Sequence, residues 1–348
     1  MRNIRKRALF FLGLLLLGCG PGFDPPDQLH SLRVLGVQKD IPYAQIGDTV
    51  NLQMLWEDAS PAAGRPVQIA WSGPCFDPAG DLYYSCFTRP SLLAGLASGD
   101  TTSFTMPATY QNAQGSEQPI IRAASGENNA PYGVVYLFFA ACAGQLVPIK
   151  TTEATAFPLG CQDADGNLLG SDDFVAGYTS VYVFDTFSNT NPEITGFEFN
   201  GEPVDRTAVC LGDECQAVAE AALPDVDSID CSVTPSRCVP TCADDGKSSC
   251  HGYALRPVLD QAANQEQDSV SAKQLGRNVT EQMWIDYYTD GGGFKTSVRL
   301  LNDATTGWNS DYGTEFYASK EAKISRVWAI VHDNRGGTGW AGITVKTQ

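Results

Sequence analysis

The chain has 348 residues, a formal net charge of −17 at pH 7 and a sequence isoelectric point near 4.5. Hydrophobic residues make up 43% and charged residues 18%, which is enough apolar material for packed cores and argues against a disordered chain. The acidity excludes recognition of nucleic acid through a basic face. Glycine (34 residues) and proline (20 residues) favour strands and turns over long helices.

The first eighteen residues have the organisation of a secretory signal. Four basic residues within positions 2–7 precede an apolar run over residues 8–17, and the small residue Gly18 follows that run. The run is about half of the ~20 residues that a membrane-spanning helix needs. We therefore predict that residues 1–18 are a signal peptide rather than a buried helix.

The junction Leu16-Leu17-Gly18-Cys19 resembles the lipobox of bacterial lipoproteins. The resemblance implies cleavage before Cys19, a diacylglyceryl group on its sulfur through a thioether, and acylation of the new N-terminus with a palmitate-type chain. Several acyl chains together give stable anchoring where one chain is marginal. Because Gly20 rather than aspartate follows Cys19, the resemblance also implies an outer-membrane destination, on its periplasmic or its surface-exposed side.

A segment rich in proline and glycine follows this cysteine. Residues 19–30 show no core-forming pattern, and residues 20–27 predict a stiff tether. Loss of the signal peptide would remove four of the 23 basic residues and no acidic one, so the remaining surface would be more acidic still. Anionic lipid repels such a surface, which leaves the lipid anchor as the predicted contact with the membrane.

Ten cysteines remain besides Cys19. An even number predicts five disulfides and no free thiol in an oxidising compartment. Cys75 and Cys86 bracket a predicted hairpin, and Cys142 and Cys161 lie at the ends of two strand-like runs. The other six allow several connectivities that the sequence does not resolve, and they are Cys210, Cys215, Cys231, Cys238, Cys242 and Cys250. Zinc is the weaker interpretation, because the spacing is loose and a single histidine is nearby.

The first half of the mature chain predicts a β-sandwich over residues 31–188. Apolar and polar residues alternate at 49–54, directly after a Gly-Asp turn, as in a half-buried strand. Turn residues separate the strand-like runs, and no long stretch has helical period. The further runs of this half lie at 32–37, 67–71, 102–106, 133–141 and 174–184.

A polar stretch at 186–192 marks the predicted boundary, and a second β-sandwich is predicted over 191–348. It begins with a strand at 194–200 and contains a cysteine-rich insert at 210–250 and a loop or short helix at 260–276. The later runs lie at 282–288, 297–301, 315–318, 326–332 and 341–347. The runs at 134–139 and 327–331 are both apolar on two faces and lead into tight turns, which favours two related sandwiches in tandem.

Two short motifs carry a further resemblance. Residues 48–52 (Asp-Thr-Val-Asn-Leu) and residues 331–340 (Val-His-Asp-Asn-Arg-Gly-Gly-Thr-Gly-Trp) look like immunoglobulin-like domains of bacterial surface proteins. The whole layout is similar to surface lipoproteins of myxobacterial type. The resemblance implies an all-β chain of two tandem immunoglobulin-like β-sandwich domains, the second with a disulfide-rich insert. It implies a cell-envelope location and supplies no activity.

Motifs for catalysis are absent from the sequence. There is no nucleophile elbow, zinc-protease, dinucleotide-binding or Walker motif, and only His30, His251 and His332 are available as a histidine base. We therefore predict a non-catalytic role in binding, adhesion or support, with an envelope protein or a glycan as partner. The alternative from another class is a secreted-type hydrolase of a cell-wall or extracellular polymer, with its site in the disulfide-rich insert.

Calcium is the alternative cofactor. Asp163 and Asp165 resemble the start of a calcium loop, but a third ligand before Gly166 and a terminal bidentate glutamate are missing, and Asp-Gly is itself a strong turn signal. Asp225, Asp227 and Asp230 alternate carboxylates and are equally weak candidates. They keep open a calcium-stabilised carbohydrate-binding module; otherwise we predict no metal and no cofactor.

Aromatic residues in the second half suggest a sugar-stacking platform. They are Trp284, Tyr287, Tyr288, Trp308 and Tyr312. Strand alternation buries at least one face of such a group, so we favour the interpretation that these rings fill a sandwich core or its rim.

Overall fold

The computed structural model describes residues 25–76, 83, 86, 96–112, 115–124, 126–149, 157–206 and 229–348. Strands and the turns between them dominate these residues. One group of strands lies within 32–183 and a second group within 196–347, and each group forms two facing sheets around its own apolar core. The chain is therefore all-β, with two β-sandwiches in tandem.

The first domain packs a three-stranded sheet, in the order β1-β3-β6, against a five-stranded sheet, in the order β2-β12-β9-β4-β5. Two small hairpins, β7–β8 and β10–β11, complete it. Its strands are β1 (Leu32–Lys39), β2 (Tyr43–Ala44), β3 (Thr49–Asp58), β4 (Gln68–Phe76), β5 (Ala97–Ser98), β6 (Thr101–Thr105), β7 (Thr109–Gln111), β8 (Glu117–Pro119), β9 (Gly133–Cys142), β10 (Gln145–Pro148), β11 (Leu159–Gln162) and β12 (Phe174–Val183).

This strand order is immunoglobulin-like. Strands β1, β3 and β6 take the places of A, B and E, and the facing sheet places G, F, C and C′ side by side as β12, β9, β4 and β5. The short strand β2 pairs in parallel with β12, with Tyr43 opposite Tyr182, so the first strand is divided between the two sheets. Trp71 on strand C is buried in the core between the sheets, as a tryptophan of this strand is in immunoglobulin domains.

The second domain packs the sheet β14-β13-β16-β21-β18 against the sheet β15-β23-β22-β17-β19-β20. Its elements are β13 (Gly196–Phe199), β14 (Glu202–Val204), β15 (Cys238–Val239), β16 (Gly252–Val258), helix α1 (Gln261–Asn264), helix α2 (Ser269–Leu275), β17 (Met283–Thr289), β18 (Gly293–Phe294), β19 (Val298–Asp303), β20 (Gly307–Trp308), β21 (Thr314–Tyr317), β22 (Lys323–Asp333) and β23 (Thr338–Thr347).

The second domain repeats the immunoglobulin-like order. Strands β13, β16, β21 and β18 take the places of A, B, E and D, and β23, β22, β17 and β19 those of G, F, C and C′. Strand β15 again pairs in parallel with the G strand. The cysteine-rich insert therefore interrupts the divided first strand and leaves the central sheet intact. Two tandem immunoglobulin-like domains, as predicted, are confirmed by this repeated order.

Alternation along the strands builds the cores. Val50, Leu52 and Met54 of β3 are buried while Thr49 and Asn51 between them are exposed, which explains the period-two pattern of that segment. Each of the longer predicted strands is present, with its ends displaced by a few residues. The sequence missed the two-residue strands β2, β5, β15, β18 and β20, because so short a strand leaves no periodic pattern. It also missed the short strands β7, β8, β10, β11 and β14.

The segment predicted as a loop or short helix contains the two helices. Asp260 caps α1 by accepting a hydrogen bond from the Ala262 amide, and Asp268 caps α2 by accepting one from Ser271. Gly276 ends α2 in the left-handed conformation, with φ of 66°. Within the described part of the chain no helix is long and apolar enough to cross a membrane.

The two F strands, β9 and β22, lie at the centre of their sheets and are apolar on both faces, as their sequences predict. The reason differs between them. The outer face of β9 carries Phe138, which packs against Tyr83 and the Cys75–Cys86 disulfide. The outer face of β22 carries Ile330, which packs against the first domain.

The structure joins eight cysteines in four local disulfides: Cys75–Cys86, Cys142–Cys161, Cys231–Cys238 and Cys242–Cys250. The last two pairings settle what the spacing left open for residues 231–250. Cys210 and Cys215 lie outside the described residues, as does Cys19. Each bridge closes a short loop and so ties turns and strand ends together rather than linking the domains.

The domains contact each other along β1, which lies against the outer face of β22 and β23. Leu35 packs with Ile330 and Trp340 in a small apolar cluster between the domains. Gly36 lies at this contact, where a Cβ would meet Ile330 and Trp340 at 3.6 Å, an ordinary van der Waals distance. An ion pair between Glu57 and Arg326, 2.8 Å long, flanks the cluster.

Residues 25–30, the end of the predicted tether, are not a free linker. We call this segment the strap. Leu29 donates its amide to the Thr289 carbonyl at 2.8 Å, and Thr289 donates to the Asp27 carbonyl at 2.9 Å. Leu29 is 1% exposed and joins the apolar cluster between the domains. The composition suggested a tether up to residue 30, but one buried leucine and two backbone hydrogen bonds fix its last part on the second domain.

Candidate binding site at the domain junction

A cavity of about 340 Å³ lies where the two domains meet, beside the β22–β23 turn. This volume is at the lower end for small-molecule pockets, which form preferentially between domains. Both domains contribute to its lining, which consists of Tyr43, Thr186, Phe187, Ser188, Glu266, Gln267, Ser269, Val270 and Arg335.

Aromatic rings of the first domain form one wall of the cavity and continue beyond it. The ring centroids of Tyr43 and Phe184 are 4.6 Å apart, and those of Phe184 and Phe187 are 5.5 Å apart. Tyr182 lies 6.0 Å from Tyr43, and Tyr132 lies 6.3 Å from Tyr182. These separations are typical of favourable aromatic pairs. Tyr132 is 40% exposed, so the aromatic surface reaches solvent.

Strand β12 orients this aromatic wall. Val181 and Val183 point into the sandwich core and are fully buried, so Tyr182 between them must point outwards. Phe184 follows on the same face, and Tyr178, four residues before Tyr182, also lies on this face and is 48% exposed. Sequence reasoning missed this group, although the spacing of Tyr178, Tyr182 and Phe184 is the signal that would have found it.

The segment around α1 and α2 forms the opposite wall. Val270 packs against the cluster of Tyr43 and Phe184, and this contact fixes α2 over the junction. Asp268, 2% exposed, caps α2 and also accepts a hydrogen bond from the Asn334 side chain at 3.2 Å. This wall offers the side chains of Glu266, Gln267 and Ser269 to the cavity. It supplies the polar complement to the aromatic side.

Arg335, in the β22–β23 turn, joins the two walls. Its Nε donates to Glu281 at 3.1 Å, and its Nη2 donates to Glu281 at 2.6 Å and to Glu266 at 2.5 Å. The guanidinium carbon lies 5.9 Å from the centre of the Tyr43 ring. Because the side chains of Arg335 and Glu281 are only 4% and 3% exposed, this is a buried ion pair that shapes the cavity.

Asp333 holds the β22–β23 turn in shape. Its carboxylate accepts the amides of Arg335 at 2.7 Å and Gly337 at 2.8 Å, and the side-chain amide of Asn189 at 3.1 Å. The buried Lys39 ammonium lies close by, where burial lowers its pKa to about 8 although the charge of Asp333 opposes the shift. Charged groups from both domains therefore meet beneath the cavity.

Burial also shifts two other groups at the junction. It raises the pKa of Glu281 to about 7, against the charge and hydrogen bonds of Arg335. Burial lowers the pKa of His332 to about 4, and the neighbouring Lys39 charge adds to that shift. The two shifts change stability with pH in opposite directions. The folded protein binds the Glu281 proton more tightly than the unfolded chain does, and it binds the His332 proton less tightly.

This difference predicts the behaviour of Glu281→Gln with pH. Between about pH 4.5 and 7 the folded state keeps the Glu281 proton that the unfolded state has released, so its stabilising contribution is lost as pH rises. Glutamine does not titrate, so the stability of the variant relative to the wild type should rise by up to about 3 kcal/mol across that window. Urea unfolding at pH 4.5 and pH 7 measures it. A pH-independent difference between the two proteins would contradict the shift.

His332 lies in an arrangement that superficially resembles a catalytic triad. Its Nε2 is 3.4 Å from Asp286 Oδ2 and its Nδ1 is 3.4 Å from Thr338 Oγ1. Both contacts are long for hydrogen bonds. The threonine is 5% exposed and its methyl group lies against Gly36 of β1, so no substrate reaches the hydroxyl. This geometry gives the hydrolase interpretation no support.

The aromatic residues suggested by the sequence as a sugar platform do not form one surface. Tyr287 is fully buried and donates its hydroxyl to the Tyr312 carbonyl at 2.8 Å, and both rings belong to the core of the second domain. Trp308 packs against the same core, and Tyr288 packs into the cluster between the domains. Trp284 stacks on His332, with centroids 5.4 Å apart. The core interpretation fits all but this last ring.

Asp163 and Asp230, two of the acidic residues considered for calcium, lie in ordinary turns. Asp163 accepts the amides of Asp165 and Asn167, and the Asn167 side chain donates to its other oxygen at 3.0 Å. Asp230 accepts the amide and hydroxyl of Ser232. Asp225 and Asp227 lie outside the described residues. Among the residues that the structure describes, no three histidine, cysteine or acidic side chains are grouped to hold a metal ion.

No family model matches the chain, and no curated protein sequence matches it. Solved structures similar to it include fibronectin(III)-like modules of Clostridium thermocellum CbhA, with 11% identity, 90% of this chain and 93% of that chain covered, and a TM-score of 0.20. They also include the two tandem V-type regions of a v-region-containing chitin binding protein, with 10% identity, 91% and 99% covered, and a TM-score of 0.21. Similarity at such TM-scores carries no argument, so the fold assignment rests on the strand order.

Proposed function

We propose that this chain is a lipid-anchored protein of the cell envelope that binds a neutral glycan, without catalysis, in the cavity at the domain junction. The observation that carries the proposal is the composition of the two walls. One wall contains the rings of Tyr43 and Phe187, and the other contains Gln267, Ser269 and Glu266, whose carboxylate is held by Arg335 and Thr190.

This pairing of surfaces suits a sugar ring. A pyranose has apolar faces of C–H groups that stack on aromatic rings and an equatorial edge of hydroxyls that both donate and accept hydrogen bonds. The cavity presents those two kinds of partner on opposite sides. The net charge of −17 disfavours an anionic polymer, and Arg335 is already engaged by Glu266 and Glu281. A neutral glycan therefore fits better than an acidic one.

The sequence supports the envelope location. A basic, apolar and small-residue leader ending at Cys19 favours export and lipid attachment. Four disulfides among the described residues fit an oxidising compartment. An outer-membrane lipoprotein combines these features. The anchor has its own test in the next subsection.

Removal of one ring tests the binding site. We expect Phe187→Ala to weaken binding of short neutral oligosaccharides by roughly 2- to 12-fold, because an aromatic contact contributes about 0.5–1.5 kcal/mol. Tyr178→Ala is the control, since Tyr178 is an exposed ring on the outward face of β12 and does not line the cavity. Isothermal titration against a panel of such sugars gives both affinities.

The affinities of the two variants also show which results would contradict the proposed binding site. An equal loss for Phe187→Ala and Tyr178→Ala would place binding on the open sheet face rather than in the cavity. Absence of saturable binding for every neutral glycan in the panel, with the wild-type protein folded, would overturn the glycan proposal.

A further inference from the structure

The strap lies at one end of the two-domain body. It is held at Thr289, the last residue of β17, and Thr289 is opposite Val327 near the start of β22. Met283, at the other end of β17, is opposite Asp333, where the turn carrying Arg335 begins. A strand rises about 3.3 Å per residue. The cavity therefore lies about 20 Å along the sheet from the strap.

In the first domain, too, the strap and the cavity lie at opposite ends of the strands. Strand β1 starts at the strap end, where the Leu32 amide donates to the Asp172 carbonyl just before β12. It ends beside the cavity, where the Gln38 side chain donates to the Thr338 carbonyl. Strand β12 runs in the same direction and brings Tyr182 to the cavity end. Both domains thus present their aromatic and polar cavity residues at the end opposite the strap.

Covalent geometry limits how far the strap lies from the predicted anchor. The Gln28 amide donates to the Pro25 carbonyl at 3.0 Å, and this turn folds Pro25 back against the strap. Cys19 precedes Pro25 by six residues, and an extended chain spans at most about 3.6 Å per residue. The Cα atom of Cys19 therefore lies no more than about 22 Å of chain from the Cα atom of Pro25 in the fixed strap.

We propose that the strap orients the molecule on the membrane, with the strap end facing the lipid headgroups and the cavity facing away. The surface towards the lipid would comprise the β17–β18 turn, the loop at Gly246 and the Cys142–Cys161 bridge. Gly246 lies directly against Gly292 in that turn, and the strap residue Gln28 reaches Gly293 beside it. This inference rests on the proposed lipidation of Cys19. It adds a defined orientation of the protein on the membrane. Because the two domains pack against each other, the position of the strap fixes the orientation of both.

Energy transfer to the bilayer tests the pose. The full-length lipidated protein is placed in vesicles that contain an acceptor-labelled lipid, and a donor is attached through an azido amino acid at position 165 or at position 273. Asp165 is exposed near the Cys142–Cys161 bridge, and Lys273 is exposed on α2 beside the cavity. We expect at least twofold higher transfer efficiency from position 165.

A variant with a flexible Gly-Ser insertion between residues 24 and 25 leaves residues 25–348 unchanged and should narrow the difference in transfer efficiency between the two positions. Cys19→Ser should leave the protein off the vesicles. Equal transfer from the two positions in the vesicle-bound wild type would overturn the pose while leaving the anchor intact. Vesicle binding by Cys19→Ser at the wild-type level would instead overturn the lipid anchor.

Discussion

Replacement of Arg335 by glutamine should destabilise the folded chain by about 3–5 kcal/mol. The guanidinium is the shared partner of Glu281 and Glu266, and its loss leaves a buried carboxylate without a counter-charge. Part of the cost can be relieved by protonation of Glu281, so the loss should be smaller at pH 5 than at pH 7.5. Equilibrium unfolding in urea at both pH values measures the effect.

The chain contains a matched control for this substitution. Arg256 also donates to a glutamate through Nε and Nη2, at 3.0 and 2.9 Å, but the side chains of Arg256 and Glu198 are 42% and 44% exposed. Arg256→Gln should therefore cost no more than about 1 kcal/mol. Equal losses for the two arginine variants would show that burial at the junction contributes nothing to the strength of the Arg335 pair.

Trp340→Ala is expected to cost about 3–5 kcal/mol and to uncouple the two domains. The indole is buried between Leu29, Leu35 and Ile330, so its removal opens a cavity between the domains rather than inside either core. In the wild type we expect a single unfolding transition, because β1, the strap and β22–β23 share this cluster. In the variant the transition should split in two, which scanning calorimetry resolves.

Leu275→Ala provides the reference for this prediction. Leu275 is 55% exposed at the end of α2, and its truncation should change stability by less than about 0.5 kcal/mol. If Trp340→Ala unfolded in one transition with a midpoint close to the wild type, the domains would be coupled by contacts other than the apolar cluster.

Strand positions were predictable because one face of each strand faces its own core. Val50, Leu52 and Met54 alternate with polar residues, and the apolar runs at 134–139 and 327–331 predicted two strands buried on both faces, which the structure places at the F positions. The local pairing of Cys75 with Cys86 followed from their close spacing. Strands and local disulfides depend on residues that are close together in the sequence, and a periodic pattern or a short spacing reveals such residues.

The junction was not predictable in the same way. Glu266 and Arg335 are in contact in the second domain although 69 residues separate them in the sequence. Tyr43 and Phe187 lie far earlier in the chain, and the packing of the two domains brings them to the same cavity. The proline-rich composition of residues 19–30 likewise concealed the strap. Burial of one side chain, that of Leu29, holds the strap on the second domain, and a single apolar residue forms no periodic pattern in the sequence.

Two glycines, Gly337 in the β22–β23 turn and Gly339 in β23, determine how closely the peptide between the domains approaches the second sheet. A Cβ at Gly339 would overlap the Pro192 carbonyl oxygen, and one at Gly337 would lie 2.9 Å from that of Thr190, so the connecting peptide rests flush on the second sheet. Neither domain can then be exchanged for an unrelated domain without disturbing this contact. A chimera that grafts the second sandwich behind a foreign partner would leave the surface at Gly337 and Gly339 without the peptide at residues 190–192 that covers it.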